Sequence, residues 1–424
     1  MFPVSEPDAW GAPDARPPVG EVGMEPAFDD RWHADFSGTA QYAYGVAFPD
    51  GTRLHYGTGD PAFELVCRTP ADHRAFLEAD LYSCAKAFVD GRFDIRGDPV
   101  RAVAFKLAHP GNRLRRFSGN AAAWLLSLTP ERWFQSRVRA RRNIEFHYDR
   151  AQKFYAAFLD SRMVYSCAYF RNAAMGLDDA QESKLDLICR KLDLHHGERF
   201  LDVGCGWGGL LVHAAERFGA VSTGCTLSLP QARYAAALSC SHGLERNISV
   251  KNCDFRDLDG QYDKIASVGM FEHVGRRRLR AYFSKIHALL APDGLFLNHG
   301  IVRPEGVRNG PETRFLKEYV FPGGELVYLS DVVKTAGASG FEVLDVESLR
   351  PHYALTCRRW VQRLIEQEDT CVQAAGRQAY RIWVLYLAAS AFSFEQGKTD
   401  VYQVLMARRR SPVRRLTRDY IFRS

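Results

Sequence analysis

The chain has 424 residues, 46% of them hydrophobic and 25% charged, with a formal net charge of +6. This composition is typical of a folded globular protein and excludes wholesale disorder, collagen and coiled coil. At about 150 residues per domain, the length predicts two or three domains. No apolar run approaches the roughly 18 residues that a membrane-spanning helix needs, so we expect no transmembrane segment.

The first 33 residues differ in composition from the rest. Residues 1–30 contain six prolines, seven acidic residues and one arginine, without an apolar stretch. Such a segment buries too little apolar surface to offset its chain entropy, so residues 1–33 are predicted to be a disordered acidic tail. They do not resemble a secretory signal. The ten cysteines show no C-x-x-C pair and no zinc-like spacing, so we expect reduced thiols, no metal site and a cytoplasmic protein.

The next segment, residues 34–110, is predicted to be a small α+β domain. Strand-like stretches at 42–48 and 52–56 flank a Pro-Asp-Gly turn at 49–51, which indicates a hairpin. A third strand is predicted at 62–67 and a helix over 69–77. Residues 111–143, rich in arginine, are predicted to connect this domain to the next.

From residue 144 to 407 the pattern changes to alternating strands and helices. Strands are predicted at 199–204, 220–225, 248–253, 263–268 and 294–298, with helices at 210–218 and 231–240. This alternation predicts an α/β, Rossmann-like domain with a mostly parallel sheet. Ligands of such folds bind at the carboxyl ends of the strands.

A glycine-rich loop follows the first of these strands, with Asp202, Gly204, Gly206 and Gly208 at alternating positions. The spacing differs from the G-x-G-x-x-G pattern of dinucleotide sites. It suits the methionine end and the sugar of S-adenosylmethionine, which has no pyrophosphate to bind. The alternative is a tight strand-to-helix turn without a ligand.

The ends of the next two strands indicate the rest of this cofactor site. Asp254 follows the third strand and is predicted to accept a hydrogen bond from the adenine amino group, or else to cap a helix. The second strand ends at Cys225 without an acidic residue for the ribose hydroxyls. Thr226 and Gln231 are therefore predicted to supply those hydrogen bonds.

Two clusters of arginine lie at 132–142 and at 408–424, the latter predicted to be a basic C-terminal tail. They are either solvated surface or contacts to an anionic membrane surface, where each basic residue contributes about 1 kcal/mol. No nucleic-acid-binding motif accompanies them, so we expect no nucleic acid partner. A peripheral position at the inner face of a membrane is the expectation, and a homodimer is left open.

Four parts of the sequence together resemble the cyclopropane-fatty-acid synthase family, which includes the mycolic acid cyclopropane synthases. They are Arg141–Tyr148 with Tyr165–Phe170, Leu201–Gly209, Ser267–Gly275 and Lys317–Gly323. The resemblance implies a class I methyltransferase fold with a small N-terminal domain. It also implies transfer of a methylene group from S-adenosylmethionine to a cis double bond of an unsaturated phospholipid.

The same resemblance implies roles for individual residues. Cofactor contacts are implied for Tyr165, Ser166, Gly204, Gly206, Thr226, Leu227, Gln231 and Phe255. A bound bicarbonate ion, the base that deprotonates the carbocation intermediate, is implied next to Cys167, Glu272, His299 and Tyr353. The alternatives are a satisfied core histidine for His299, a packed tyrosine for Tyr353 and a buried apolar side chain for Cys167.

One position departs from this family pattern. Ser390 stands where the well-known cyclopropane synthases have a cysteine, and we include it among the candidate catalytic residues. The change leaves open a fatty acyl C-methyltransferase that makes methylene- or methyl-branched chains. A third hypothesis, from another functional class, is a non-catalytic lipid-binding protein.

Overall fold

The computed structural model describes residues 43–109, 152–307, 310, 312–320, 325–411 and 415–422. The acidic tail, the Arg-rich connector, the arginine cluster at 132–142 and the motif stretch Arg141–Tyr148 lie outside these residues. The expected domain boundaries remain predictions.

A small four-stranded sheet with three helices forms the first described part. Its elements are β1 (Tyr44–Ala47), β2 (Arg53–Tyr56), β3 (Phe63–Cys67), α1 (Pro70–Glu78), α2 (Leu81–Val89), β4 (Phe93–Gly97) and α3 (Pro99–Ala108). The strand order is β2–β1–β3–β4. The predicted hairpin is confirmed, with Gly51 at φ +88° and its amide 3.1 Å from the carbonyl oxygen of Phe48. Thr69 caps the predicted helix by accepting from the amide of Asp72.

A seven-stranded sheet forms the centre of the second part. Its strands are β5 (Arg199–Val203), β6 (Val221–Cys225), β7 (Ile248–Lys251), β8 (Tyr262–Val268), β9 (Leu290–Val302), β10 (Phe341–Ser348) and β11 (Asp400–Arg408). Their order is β10–β11–β9–β8–β5–β6–β7. The five strands from β9 to β7 are parallel, and β11 is antiparallel to both of its neighbours. The predicted mostly parallel α/β sheet is confirmed.

Helices cover both faces of this sheet. They are α4 (Gln152–Ala156), α5 (Leu177–Lys191), α6 (Gly209–Phe218), α7 (Leu229–Ser241), α8 (Leu279–Leu289), α9 (Glu312–Tyr319), α10 (Leu329–Ala338), α11 (Arg350–Glu366), α12 (Glu368–Ala375), α13 (Arg377–Glu395) and α14 (Asp419–Phe422). Strand β5 is apolar at successive positions because Leu201 and Val203 face one apolar cluster while Phe200 faces the other. None of the described helices is both long and apolar enough to cross a lipid bilayer.

Helix α13 connects the two sheets. The guanidinium of Arg381 is buried and donates to the carbonyl oxygen of Phe88 at 2.6 Å. It also forms an ion pair with Asp94 on β4. On α11, Arg358 pairs with Asp98 at 3.1 Å. The small sheet is therefore fixed against α11 and α13, which lie in the sequence between β10 and β11 of the large sheet.

Two strands of the large sheet differ from their predicted bounds by more than one residue, because of their neighbours. Strand β9 was expected at 294–298 but extends over Leu290–Val302, since it pairs with β8 on one side and with β11 on the other. Strand β7 ends at Lys251 and not at Cys253, because its partner β6 ends opposite, at Cys225.

The C-terminal arginine cluster is not simply a solvated tail. Arg408 is the last residue of β11. Arg415 donates two hydrogen bonds to Asp193, at 2.9 and 3.0 Å, and Arg418 pairs with Asp345 at 3.2 Å. Ile421 is buried. Residues 415–422 therefore pack on the body of the protein, and these acids offset part of their charge.

Candidate functional site

A cavity opens at the carboxyl edge of the parallel strands, where β5, β6 and β8 end. Every residue predicted to contact the cofactor lines it except Gly208. These lining residues are Tyr165, Ser166, Asp202, Gly204, Gly206, Thr226, Leu227, Gln231, Asp254 and Phe255. The sequence therefore predicted the position of the cavity and ten of the residues that line it.

The three glycines after β5 are required for different reasons. Gly204 has φ +86°, and a Cβ there would lie 2.8 Å from Cγ of Met270. Gly208 has φ +90° and a Cβ would lie 2.8 Å from Cβ of Ala235, so it permits helix packing and does not line the cavity, contrary to the prediction. At Gly206, φ is +52° and a Cβ would meet no protein atom. Gly206 thus leaves open space inside the cavity.

Thr226 and Gln231, the predicted ribose ligands, are bonded to each other. The hydroxyl of Thr226 donates to Oε1 of Gln231 at 2.8 Å and accepts from the amide of Ser228 at 3.2 Å. Because Oε1 is engaged, Gln231 presents its Nε2 amide group as a donor. A donor fits a ribose hydroxyl oxygen, so this pair can replace the missing acidic residue.

Asp254 caps a short 3-10 helix, Phe255–Asp257, which confirms the alternative interpretation of this residue. Its Oδ1 accepts from the amide of Arg256 at 3.0 Å and from the Nε of Arg256 at 2.8 Å. The ring of Phe255 lies edge-on to that of Tyr282, with centroids 5.7 Å apart. Contact between Asp254 and an adenine amino group remains a prediction.

Glu272 lies on the 3-10 turn that follows β8, at the same edge of the sheet. Its Oε1 accepts from the amide of Ile301 at 2.7 Å, and its buried Oε2 has no partner among the described residues. Burial raises the pKa of Glu272 to about 7. The 3-10 turn that carries Phe271 and Glu272 packs closely against β9 at Gly300. A Cβ at position 300 would lie 1.9 Å from the ring of Phe271, so this packing requires glycine.

His299 precedes this glycine on β9 and is buried. Its Nδ1 lies 3.3 Å from Nε2 of Gln403, the residue opposite on β11. The amide group of Gln403 is placed with its Nε2 towards Nδ1, and in that orientation Nδ1 accepts and the neutral ring carries its proton on Nε2. That Nε2 has no partner among the described residues. Burial lowers the pKa of His299 well below 6.5, and the charges of Lys184 and Lys191 lower it further.

The remaining candidate catalytic residues are Cys167, Tyr353 and Ser390. Burial raises the pKa of Tyr353 well above 10, and electrostatic interactions with Cys357, Tyr386, Cys167 and Glu272 add to the rise. These groups therefore lie within electrostatic range of one another. Tyr386 also interacts with Ser390, one turn further along α13. The thiol of Cys167 is fully buried, and burial raises its pKa, which keeps it neutral. We call Cys167, Glu272, His299, Tyr353, Tyr386 and Ser390 the polar cluster.

The polar cluster and the cavity adjoin. Tyr165 lines the cavity, and its hydroxyl lies 3.5 Å from that of Tyr386. Lys184 also lines the cavity and affects the pKa values of Cys167 and His299. Sequence reasoning missed Tyr386, Gly300 and Lys184. A glycine inside a buried strand was the available signal for Gly300.

Comparison with known proteins agrees with this geometry. Residues 135–404 match the mycolic acid cyclopropane synthetase family. A probable fatty acid methyltransferase of Pseudomonas putida is 36% identical over 368 residues, which cover 84% of this chain and 89% of that protein. Cyclopropane mycolic acid synthase 1 of Mycobacterium tuberculosis is 38% identical over 272 residues, 62% of this chain and 95% of that protein.

The chain belongs to the mycolic acid cyclopropane synthetase family. A solved mycolic acid cyclopropane synthase in complex with SAH (S-adenosylhomocysteine) and CTAB superimposes with a TM-score of 0.60 at 36% identity, covering 63% of this chain and 97% of that one. The family resemblance and the class I methyltransferase fold predicted from sequence are confirmed. The protein is an S-adenosylmethionine-dependent methyltransferase, and the hypothesis of a non-catalytic lipid-binding protein is wrong.

We expect Gly206→Val to lower the affinity for S-adenosylhomocysteine at least about tenfold, since the new side chain would fill the cavity. Isothermal titration calorimetry measures this directly. Gly243→Val is the matched control, because Gly243 also has a positive φ (+66°) and open space around its Cβ but is exposed and lies outside the cavity. Both changes carry about 1–2 kcal/mol of backbone strain. Equal affinities in the two variants would mean that the loop is only a turn.

Proposed function

We propose that the protein is a cyclopropane-fatty-acyl-phospholipid synthase. It would transfer a methylene group from S-adenosylmethionine to a cis double bond of an unsaturated phospholipid acyl chain. The observation that carries the proposal is the partly unpartnered carboxylate of Glu272, buried beside the cofactor cavity. Ring closure from a carbocation requires removal of a proton from carbon, and a buried acceptor beside the cofactor cavity is suited to hold the base for that step.

The sulfonium methyl of S-adenosylmethionine supplies the electrophile, and its transfer to the alkene leaves a cation on the acyl chain. Loss of a proton from the new methyl group then closes the ring. Aromatic faces stabilise a nearby cation by about 0.5–2 kcal/mol each. The ring of Tyr165 lies at the cavity wall, 5.0 Å from that of Trp360, and Phe271 lies beside Glu272. These rings are suited to that role.

The polar cluster fits a bound bicarbonate as the base. Nε2 of His299 carries a proton, and the hydroxyls of Tyr353 and Tyr386 stay protonated because burial raises their pKa values. These groups are donors for an anion, while the free Oε2 of Glu272 is an acceptor for the bicarbonate hydroxyl. A bicarbonate also keeps the protein carboxylate from being alkylated by the cation.

A fatty acyl C-methyltransferase that produces branched chains is the second candidate. Ser390 favours it, since this residue interacts with Tyr386 in the polar cluster and replaces the cysteine of the cyclopropane synthases. The relative from Pseudomonas putida, a probable fatty acid methyltransferase, also supports it. A hydride shift along the chain before proton loss would give the branch.

Lipid analysis of cells that express the protein tests the two candidates. Both products gain one methylene unit in mass, so the lipids are also hydrogenated over a mild catalyst. We expect the modified chains to take up no hydrogen, because a cyclopropane ring has no double bond. Uptake of hydrogen by the modified chains would establish the methylene-branched product. Phospholipids of unchanged mass would contradict both candidates.

Protonation of Glu272 should determine how turnover falls at low pH. With a pKa of about 7, its carboxylate is ionised above pH 7 and becomes protonated as the pH falls below 7. His299 remains neutral across this range, since its pKa lies well below 6.5. We therefore expect turnover to rise with pH through an apparent pKa near 7.

Glu272→Gln and His299→Ala should each lower turnover by about 10²–10⁴-fold, with nearly unchanged affinity for S-adenosylhomocysteine. A variant with comparable turnover would remove that residue from the catalytic role.

We also propose that the protein binds anionic membranes through arginines beside the cavity. Arg277 and Arg280 are exposed and form no ion pair with any acid that the structure describes, and the neighbouring Arg278 lines the cavity. At about 1 kcal/mol per arginine, the double change Arg277→Gln/Arg280→Gln should weaken binding to anionic vesicles about tenfold or more. High salt should weaken binding of the unmodified protein in the same way.

The matched control for this vesicle experiment is Arg217→Gln/Arg246→Gln. Arg217 ends α6 and Arg246 precedes β7, so both exposed arginines lie at the opposite edge of the sheet. Sedimentation of vesicles with the protein gives the affinities. Equal losses in the two double variants would indicate an effect of net charge alone and would contradict a docking surface beside the cavity.

A further inference from the structure

Lys184 is a buried lysine in the wall of the cofactor cavity. Lys184 lies on α5 and is only 1% exposed to solvent. Its ammonium donates to the hydroxyl of Ser166 at 2.9 Å. An ammonium group has three N–H donors, and the other two have no hydrogen-bond partner or ion pair among the described residues. A buried charge without such partners is costly, which indicates that something else completes its environment.

The two acids nearest to Lys184 differ in how they are bonded. Asp160 accepts from the amides of Val164 and Arg162, at 2.9 and 3.0 Å, so its oxygens are occupied. Asp202, at the end of β5, is 3% exposed, and its Oδ1 has no partner among the described residues. Burial lowers the pKa of Lys184 to about 8 and raises that of Asp202 to about 7, so the site holds a cation and an acid that are both short of partners.

An α-amino acid group fits this pair. It presents a carboxylate and an ammonium on the same carbon, and Lys184 and Asp202 offer the opposite charges on the cavity wall. Asp202 lies two residues before Gly204, where the glycine loop begins. We propose that Lys184 binds the α-carboxylate of the methionine moiety of S-adenosylmethionine, oriented by Ser166 and next to an α-ammonium held by Asp202. This role depends on the cofactor and not on the identity of the lipid substrate.

Two ligands that differ in this amino acid group test the proposal. S-adenosylhomocysteine carries the carboxylate and the ammonium, whereas 5′-methylthioadenosine retains the nucleoside and sulfur but lacks both. Calorimetry should show that Lys184→Met lowers the affinity for S-adenosylhomocysteine at least tenfold. The affinity for 5′-methylthioadenosine should change by less than twofold. Equal loss for both ligands, or no loss for either, would overturn the proposal in favour of a purely structural lysine.

Lys191 provides the matched control on the same helix. It is also fully buried, but it pairs with Asp345 at 3.4 Å and with Glu347, outside the cavity. Lys191→Met should leave the ratio of the two affinities unchanged even where it lowers stability. If Lys184→Met does not fold, Lys184→Gln, which retains N–H donors without the charge, is measured with the same two ligands, and a selective loss of S-adenosylhomocysteine affinity is again expected.

Discussion

The burial of Glu272 is the constraint on which the rest of the site depends. Its Oε1 is fixed by the amide of Ile301, while its Oε2 faces a buried space without a described partner. This arrangement requires glycine at position 300, since any Cβ there would overlap the ring of Phe271. It also requires β9 to extend past His299, which pairing with β11 on its far side allows. Burial raises the pKa of Glu272 to about 7, so above neutral pH its carboxylate is ionised and can accept a hydrogen bond from the hydroxyl of the proposed bicarbonate base.

The cofactor cavity and the polar cluster form two halves of one reaction site. In the proposed reaction the cofactor supplies the methyl group and the polar cluster holds the base, so one substrate would have to reach both. Tyr165 lines the cavity and contacts Tyr386 of the cluster, and Lys184 lines the cavity and lowers the pKa of His299. Because a like charge disfavours protonation, Lys184 helps to keep His299 neutral. A neutral His299 donates through Nε2, which is the form that binds an anion.

The sequence predicted the parallel sheet, the position of the cavity and part of its wall, because strand-to-loop transitions are local patterns. It did not predict which side chains are bonded to each other. Gly208 matched the glycine pattern but packs against α7, and Asp254, for which the sequence left both an adenine contact and a helix cap open, caps the 3-10 helix Phe255–Asp257. Lys184 gave no signal, since a lysine within an amphipathic helix is usually solvated. Its burial follows from the packing of α5 against distant segments, which depends on tertiary structure.

The fate of the hydrogens on the transferred carbon tests the central claim most directly. The protein would be incubated with unsaturated phospholipid vesicles and S-adenosylmethionine carrying a fully deuterated methyl group, and the product analysed by mass spectrometry. Because the proposed mechanism removes a proton from the new methyl group, the product should retain two deuterium atoms from each transferred methyl. Retention of all three would mean that no proton leaves that carbon, and it would contradict a role for Glu272 and its neighbours in ring closure.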